Sequence, residues 1–291
     1  MGTVNGKVVF ITGGAAGVGA EVARELHARG AKLVLTDVDE QALARQATEL
    51  GHDRVLTHAA DVRDLKAMQA AADASVERFG GIDVVMANAG IASYGSVLGV
   101  DPEAVKRLLD INVLGVFHTV RATLPSIIER QGYVLIVSSL AAYAASPGLA
   151  PYNASKAAVE QFANALRLEV SYRGVDVGSA HMSWVDTAMV RDTKSDLSTF
   201  AEMLSKLPWP LSITTSVEQC GAAFVKGIEG RKTRIDCPGW VGLARWLKPV
   251  ISGWLGEKTT RAFVPDLLPR MDAEVAALGR STSAHTEAIE K

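Results

Sequence analysis

Short apolar runs rich in β-branched residues alternate with longer stretches of helical period along most of the chain. Such alternation favours βαβ units, whose right-handed crossovers place helices on both faces of one parallel sheet. We therefore predict an α/β fold with a single doubly wound parallel sheet. The predicted strands are Val8–Ile11, Lys32–Thr36, Arg54–His58, Val84–Ala87, Val134–Val137 and Val175–Ala180; the clearest helices are Ala20–Arg29, Glu40–Leu50, Pro102–Arg130 with a break near Gly115, and Tyr152–Tyr172.

The length and the continuity of the pattern bound the domain organisation. A chain of 291 residues, 48% of them hydrophobic, can bury a large core, and no linker or change in composition divides residues 1 to about 235. We predict one domain over residues 1–265 and a C-terminal extension over 266–291. Because its last stretch, from Ser281 onward, is polar, we expect the extension to be partly frayed.

Charge and cysteine content exclude several classes of protein. The formal net charge is −2, and no basic stretch is long enough for a nucleic-acid site, so we expect no nucleic-acid partner. Two cysteines, Cys220 and Cys237, make neither a disulfide framework nor a metal cluster, so we predict free thiols and no metal. There is no secretion-type leader and no apolar run of membrane-spanning length. We expect a soluble, cytoplasmic protein.

A glycine-rich stretch, ITGGAAGVGA (11–20), separates the first strand from the first helix. Gly13, Gly17 and Gly19 follow the spacing G-x3-G-x-G, which allows a tight turn and close approach of a pyrophosphate to the backbone. The helix that begins near Gly17 would direct its N–H groups and positive dipole end at that phosphate. A flexible surface turn is the alternative, but the position between strand and helix favours a dinucleotide site.

Acidic residues at the ends of the next two strands refine this prediction. At the end of the second strand, Asp37 could accept hydrogen bonds from both hydroxyls of an adenosine ribose. It would repel a 2′-phosphate, and no basic residue stands at Ala15, Ala16 or Val38, so NAD(H) is favoured over NADP(H). Asp37 as a helix cap or as a turn aspartate is the alternative. Asp61, after the third strand, could reach the adenine amino group or cap the following helix.

The stretch PYNASK (151–156) places Tyr152 and Lys156 on one face of a predicted helix. A nearby ammonium stabilises a phenolate and lowers the pKa of the tyrosine, which suits it to proton transfer. Ser139 stands at the end of a predicted strand, where an open α/β sheet places its ligand crevice. Ser139 and Tyr152 could therefore converge on one substrate oxygen.

Taken together, TGGAAGVG (12–19), ANAG (87–90), Asn112, Ser139 and the Tyr152–Lys156 pair resemble the short-chain dehydrogenase/reductase family, in its shorter branch. The resemblance covers the chain from Gly6 to about Gly239 and implies a Rossmann-like fold. It implies four catalytic residues, with Tyr152 as general acid/base, Lys156 on the nicotinamide ribose, Ser139 on the substrate oxygen, and Asn112 bending its helix and holding a water.

The cofactor site implied by the glycine loop and the resemblance draws on both halves of the sheet. Asn88 and Gly90 would line the adenosine side, with Asn88 also steadying the central strands, and Val185 and Thr187 would contact the carboxamide. The complete predicted set is Gly13, Ala16, Gly17, Val18, Gly19, Asp37, Val38, Asp61, Val62, Asn88, Ala89, Gly90, Tyr152, Lys156, Val185 and Thr187.

The sequence departs from the family pattern at two places. Ala87 replaces the first asparagine of the usual NNAG, which is a mild change. Met182 and Ser183 replace the Pro-Gly pair that shapes the nicotinamide pocket, so the shape of that pocket cannot be carried over from the family.

By resemblance, residues from about 188 to 215 form a lid over the substrate. This segment is rich in apolar residues, and GWVGLARWLKPVISGWLG (239–256) adds Trp240, Trp246 and Trp254. Such a surface could be a pocket wall, a subunit contact, a segment resting on a membrane, or ordinary core. We expect a lipophilic substrate.

The sequence thus predicts an NAD-dependent enzyme that interconverts a small-molecule secondary alcohol and a ketone. The alternative is a catalytically silent NAD-binding sensor or scaffold of the same fold. A sugar epimerase fits the glycine spacing less well, and in enoyl reductases the tyrosine and lysine stand farther apart. The resemblance, with small residues along Tyr152–Tyr172, predicts a homo-oligomer, either a dimer or a tetramer.

Overall fold

A computed structural model describes residues 3–251 and 253–289. In this part of the chain, seven strands form one sheet in the order β3-β2-β1-β4-β5-β6-β7, and each neighbouring pair is parallel. The strands are β1 (Val8–Thr12), β2 (Lys32–Asp37), β3 (Val55–Ala59), β4 (Val84–Ala87), β5 (Tyr133–Val137), β6 (Asp176–Met182) and β7 (Arg234–Cys237). The predicted doubly wound sheet is confirmed, with β7 as a strand that the sequence pattern did not reveal.

Helices cover both faces of this sheet. They are α1 (Gly17–Ala28), α2 (Glu40–Leu50), α3 (Leu65–Phe79), α4 (Pro102–Leu109), α5 (Gly115–Glu129), α6 (Ala150–Val170), α7 (Ala188–Asp196), α8 (Ser198–Lys206), α9 (Val217–Glu229), α10 (Val241–Trp246), α11 (Lys248–Ile251), α12 (Trp254–Leu278) and α13 (Ala284–Ile289). A π-helical turn, Asp110–Leu114, joins α4 to α5, and this is the irregularity predicted near Gly115.

The side chains of the central strand alternate between two cores. Val9 and Ile11 of β1 pack with α1, α2 and α9 on one face, whereas Val8 and Phe10 pack with α3, α5 and α6 on the other. A strand that is buried on both faces has to be apolar at every position, which is why β1 reads VVFIT without polar alternation.

One helical stretch of the described chain, Pro102–Glu129, is long and apolar enough to cross a membrane by length and composition alone. It has 28 residues and a mean hydropathy of 1.3 in its most apolar window. However, 56% of that window is buried within the fold, and Leu108, Val116 and Val120 belong to the core beside the sheet. We assign the stretch to the core.

The C-terminal residues differ from the prediction of a boundary at residue 265 and a frayed tail. A single helix, α12, runs through position 265, and its Leu267, Met271 and Val275 are buried in a third core with residues of α8. Farther along, the Ser281 carbonyl accepts a hydrogen bond of 2.8 Å from the Tyr94 N–H, so the segment is docked at least as far as α13. Tertiary burial outweighs the local polarity on which the prediction rested.

This docking predicts an unequal response to two leucine truncations on α12. Leu267 is fully buried, whereas Leu278 is 36% exposed. Leu267→Ala should lower the free energy of unfolding by about 2–5 kcal/mol because it leaves a cavity. Leu278→Ala, the matched control, should cost less than about 1 kcal/mol. Urea denaturation of both variants measures the difference, and equally small effects would mean that α12 does not belong to the folded core.

Candidate active site

A cleft of about 1140 Å³ opens at the carboxyl edge of the sheet. All the predicted site residues line this cleft except Gly19 and Asn112, which lie directly behind its wall. Parallel strands direct their carboxyl ends to the same edge, so the loops after β1, β2, β4, β5 and β6 meet there. Within residues 3–251 and 253–289, no group of three or more His, Cys, Asp or Glu side chains is arranged to hold a metal ion.

The loop between β1 and α1 requires its glycines. Gly13 and Gly17 adopt φ angles of 64° and 55°, a left-handed region that side chains disfavour. A Cβ on Gly19 would lie 2.1 Å from the Gly13 carbonyl oxygen, so the first turn of α1 can pack against the loop only without a side chain there.

The amino end of α1 is suited to an anion. Its N-cap, Ala16, offers no side-chain acceptor, and its first turn carries no acidic residue. By contrast, the side chains of Asp39, Asp64 and Asp101 cap α2, α3 and α4. The N–H groups and dipole of α1 therefore face the cleft without a protein carboxylate to compensate them, and this arrangement fits the pyrophosphate of a dinucleotide.

Asp37 lies at the end of β2, and its carboxylate is held by the backbone. It accepts hydrogen bonds from the N–H groups of Ala15 (3.1 Å) and Asp39 (3.2 Å). Asp39, through its bond to the Ala42 N–H at 2.9 Å, is the residue that caps α2, so the alternative role of Asp37 as a helix cap is wrong. Burial raises the pKa of Asp37 and the backbone N–H groups partly oppose that shift.

Asp61 does not cap the helix after it either, because Asp64 caps α3. Instead, the Asp61 carboxylate accepts bonds from the Arg63 N–H (2.8 Å) and from Arg63 Nε (2.7 Å). Burial raises the pKa of Asp61, but the contacts with Arg63 outweigh it and hold that pKa below its usual range. Arg63 also lines the cleft and was not among the predicted residues, although its place two residues after Asp61 could have indicated it.

Asn88 ties the two central strands together at their carboxyl ends. Its Nδ2 donates to the carbonyl oxygens of Thr12 (2.9 Å) and Gly13 (3.1 Å), while its N–H donates to Thr12 Oγ1 (3.0 Å). The steadying role implied by the family resemblance therefore has a direct geometric basis, and it fixes the glycine loop relative to β4.

Tyr152 and Lys156 project from one face of α6 toward the loop after β5 that carries Ser139. The Lys156 ammonium lies 5.7 Å from the centre of the Tyr152 ring and donates to the Val137 carbonyl at 3.2 Å. The Ser139 hydroxyl and the Tyr152 phenol both line the cleft there, close enough for Ser139 to act on the pKa of Tyr152. The three side chains that the sequence singled out therefore meet in one buried corner of the cleft.

Burial shifts the ionisation of both groups on α6. It raises the pKa of Tyr152, and the neighbouring Ser139 hydroxyl only partly opposes this shift. It also lowers the pKa of Lys156 to about 8, because the ammonium is removed from water. In the protein alone, desolvation thus outweighs the lowering of the Tyr152 pKa that we expected from Lys156. At neutral pH the corner holds a protonated phenol beside a lysine that gives up its proton easily.

Asn112 lies in the π-helical turn and is fully buried. Its Oδ1 accepts from the Ile91 N–H (2.8 Å), and its Nδ2 donates to the Ile91 carbonyl (2.9 Å) and to Ser155 Oγ (3.1 Å). A Cβ on Gly90 would approach Asn112 Oδ1 to 3.1 Å and Lys156 Nζ to 3.4 Å. Asn112 therefore stands directly behind Lys156, and a side chain at position 90 would require these two groups to shift by a few tenths of an ångström.

The turn that replaces the family's Pro-Gly pair is anchored by its neighbours. The Ser183 N–H donates to the Cys237 carbonyl of β7 at 2.9 Å, and the Met182 carbonyl lies 3.5 Å from Ser139 Oγ. Just beyond, Val185 forms a parallel bridge with Thr215. Backbone contacts thus hold the turn, and Met182, Ser183, Val185 and Thr187 all line the cleft.

The C-terminal helices contribute residues to the cleft that sequence reasoning missed. Arg261, Val264 and Pro265 of α12 and His285 of α13 line its outer part, together with Tyr94. Pro265 and Pro269 lie inside α12, and α12 carries no clear apolar stripe, so the sequence offered no periodic signal for this helix.

The apolar lid residues divide between wall and core. Met189, Leu207 and Leu211 line the cleft, whereas Phe200 and Met203 are buried in the core beside α12. Trp209 is 80% exposed and belongs to neither group.

The chain belongs to the short chain dehydrogenase family, whose pattern matches residues 7–198. It is 38% identical over 245 residues to SadH of Mycobacterium tuberculosis, named as a candidate oxidoreductase, a match that covers 81% of this chain and 87% of that protein. It is also 33% identical over 210 residues to a (-)-trans-carveol dehydrogenase of Rhodococcus erythropolis, covering 66% of this chain and 76% of that enzyme.

Solved structures give the same result. A short-chain dehydrogenase/reductase from Burkholderia phymatum in complex with NAD superposes with a TM-score of 0.74 at 26% identity, covering 84% of this chain and 94% of that one. The protein is therefore an oxidoreductase of this family. Family membership is relevant to two features of the site: the corner formed by Tyr152 and Lys156, and the uncapped end of α1 over the glycine loop.

The burial of Lys156 predicts a gain in stability when its charge is removed. A lysine with a pKa of about 8 in the folded protein, against about 10.4 when unfolded, opposes folding fully below pH 8 and not at all above about pH 10.4. Lys156→Met should therefore raise the free energy of unfolding at pH 7 by about 1–3 kcal/mol, allowing for its lost bond to Val137.

Urea denaturation at pH 7 and pH 9.5 measures this gain, which should shrink at the higher pH. Lys66→Met, at an exposed position of α3, is the matched control and should change stability by less than about 0.5 kcal/mol at either pH. A Lys156→Met variant less stable than the natural protein at pH 7 would contradict the assigned burial penalty.

Proposed function

We propose that this protein interconverts a secondary alcohol and a ketone with NAD(H), using Tyr152 as the general acid/base. The observation that carries the proposal is the convergence of Ser139, Tyr152 and Lys156 in one buried corner of the cleft. Both members of the Tyr-Lys pair are present and face the cleft, which favours an enzyme over a silent sensor of the same fold.

The cofactor is NAD, and its nicotinamide supplies the hydride acceptor or donor when bound. The uncapped end of α1 and the glycine loop would hold its pyrophosphate. Asp37, already oriented by the N–H groups of Ala15 and Asp39, would accept the hydroxyls of the adenosine ribose. Arg63 lines the same end of the cleft, but its guanidinium is paired with Asp61 and does not offer a partner to a 2′-phosphate.

Proton transfer follows from the ionisation of the corner. In ketone reduction, the protonated Tyr152 phenol donates its proton to the carbonyl oxygen, which Ser139 orients by a hydrogen bond. The neighbouring Lys156 ammonium stabilises the phenolate that remains, an interaction made stronger because water is excluded from the corner. In alcohol oxidation the same groups act in reverse.

A lipophilic substrate is supported by what surrounds this corner. Beyond Ser139 and Tyr152 the wall is mainly apolar, formed by side chains of α7, of α12 and of the loops between elements, so a largely apolar molecule would leave few unpaired polar groups there. These residues include Leu140, Leu149, Trp184, Met189, Leu207, Leu211 and Val264.

A homo-oligomer is supported by the outer surfaces of α5 and α6. Ala154, Ala158 and Ala165 are exposed along α6, and Phe117 of α5 is 42% exposed beside them, in edge contact with Phe162. Small residues allow two helices to approach closely, and an apolar neighbour gives the contact a driving force. We expect a second copy to cover this surface.

Removal of the Tyr152 hydroxyl should separate binding from chemistry. Tyr152→Phe should reduce kcat on a working secondary alcohol by at least about 100-fold, because the proton-transfer group is lost. The Kd for NAD, measured by fluorescence titration, should change less than about threefold because the ring remains. Tyr143→Phe is the control, since Tyr143 is also buried but bonds to His181 outside the cleft. Wild-type kcat in Tyr152→Phe would refute the assigned role.

The carboxylate of Asp37 should determine cofactor choice. Its charged hydrogen bonds to the ribose of NAD contribute roughly 1.5–3 kcal/mol and it also repels the 2′-phosphate of NADP, so the two effects together should give a preference for NAD over NADP of about 100-fold or more in kcat/KM. Asp37→Ser should narrow this ratio, and adding Val38→Arg should improve NADP further by supplying a phosphate partner. Asp39→Asn is the matched control, because it removes a neighbouring charge but keeps a cap on α2. If Asp39→Asn narrowed the ratio as much as Asp37→Ser, direct ribose contact by Asp37 would be excluded.

A further inference from the structure

An apolar helical stripe on α10 and α11 faces solvent. Leu243, Trp246, Leu247 and Val250 follow the spacing i, i+3, i+4, i+7, and their exposed fractions are 59%, 74%, 42% and 54%. A stripe with this spacing ordinarily faces a core, so its outward orientation requires an explanation. The next residue to continue the stripe, Trp254, has a side chain outside those that the structure describes.

The opposite face of the same helices fixes this orientation. Val241 and Ala244 are buried against Leu140, the residue that follows Ser139. On α11, Lys248 Nζ donates to the Ala142 carbonyl at 3.2 Å. The two short helices are thus seated on the loop after β5, and they cannot turn their apolar stripe inward without breaking these contacts.

The lid extends the exposed surface toward the cleft. Leu211 packs against the cluster of Val241 and Ala244, and its sequence neighbours Trp209 and Ile213 are 80% and 45% exposed. Leu211 and Ile251 also line the cleft itself. We call the six exposed residues the Trp246 surface: Trp209, Ile213, Leu243, Trp246, Leu247 and Val250. It adjoins the mouth of the cleft.

The charged side chains within the two segments that carry the Trp246 surface have one sign, and the Asp236 carboxylate of β7 lies beside Gly242 of α10. Residues 238–251 contain no aspartate or glutamate but do contain Arg245 and Lys248, and residues 207–217 contain no charged side chain at all. The Arg245 guanidinium lies over the Trp246 ring, 4.9 Å from its centre. Tryptophan with arginine and lysine beside an apolar stripe is the composition that binds at the interface of an anionic bilayer.

We propose that the Trp246 surface docks on an anionic lipid bilayer and places the mouth of the cleft at the membrane. Apolar side chains enter the interface while the Arg245 guanidinium beside Trp246 meets lipid phosphates, and Lys248, whose Nζ donates to the Ala142 carbonyl, adds positive charge at the edge of the surface. A second copy of the chain fits less well, because a twofold contact on this surface would bring the Arg245 side chains of the two copies toward each other. This inference concerns a binding surface and stands independently of the reaction proposed above.

Flotation of the full-length protein with lipid vesicles tests the proposal. The protein should float with vesicles of 70% phosphatidylcholine and 30% phosphatidylglycerol, and float at least tenfold less with phosphatidylcholine alone, since the cations lose their partners. Leu243→Ser with Trp246→Ser should reduce partition into the anionic vesicles at least tenfold. Arg245→Gln with Lys248→Gln should reduce it and remove most of its dependence on salt.

Leu98→Ser is the matched control, because Leu98 is 99% exposed and lies outside the surface. Circular dichroism and NAD titration report whether each variant is folded. Absence of the natural protein from the anionic vesicles, or equal flotation of the natural protein and the Leu243→Ser, Trp246→Ser variant, would overturn the proposal. If light scattering then showed that only this variant had lost its oligomeric state, the surface would be a subunit interface.

Discussion

The parallel register of the sheet is the constraint on which the remaining structure depends. Backbone hydrogen bonds between neighbouring strands align their carboxyl ends at one edge, so that loops distant in sequence have no other place to meet. Asn88 secures this alignment at the centre by joining β4 to the end of β1. The register of the strands, together with these Asn88 contacts, fixes the position of the glycine loop. Asp37 then lies on one side of this loop and Ser139 on the other.

The site contains groups whose surroundings do not stabilise the fold. An uncapped helix end and a lysine removed from water each oppose stability at neutral pH, and both face the same cleft as the buried Tyr152 phenol. Polar groups left in this condition are characteristic of sites that await a ligand, because the ligand completes the hydrogen bonds and charges that the fold leaves open. We therefore expect the bound dinucleotide, rather than another part of the fold, to cap α1 and to pair with Lys156.

The outer half of the cleft is assembled from segments that lie beyond the glycine loop and the Tyr-Lys pair. The lid, α10, α11, α12 and α13 bring apolar side chains together from positions far apart in the chain, and they leave an apolar, cationic surface beside the opening. The residues proposed for the reaction therefore lie at the sheet edge, whereas the residues beside the proposed membrane side come from other parts of the molecule. A change in the outer segments can alter the substrate without disturbing the proton transfer.

Local sequence patterns determined the strand and helix order, the glycine loop, and the Tyr152–Lys156 pair, because period, φ preference and helical spacing act over a few residues. Where two neighbouring residues suit the same role by sequence, only the tertiary structure shows which of them has it. Asp37 and Asp39 are both suitable caps by sequence, and only the direction of α2 assigns the cap to Asp39 and leaves Asp37 to the cleft. The docking of α12 could not be predicted from the sequence either, because the prolines and the irregular apolar pattern of this helix give no clear helical signal. The helix is stabilised by the burial of Leu267 and its neighbours against α8. Both features depend on long-range packing, which a local sequence pattern does not contain.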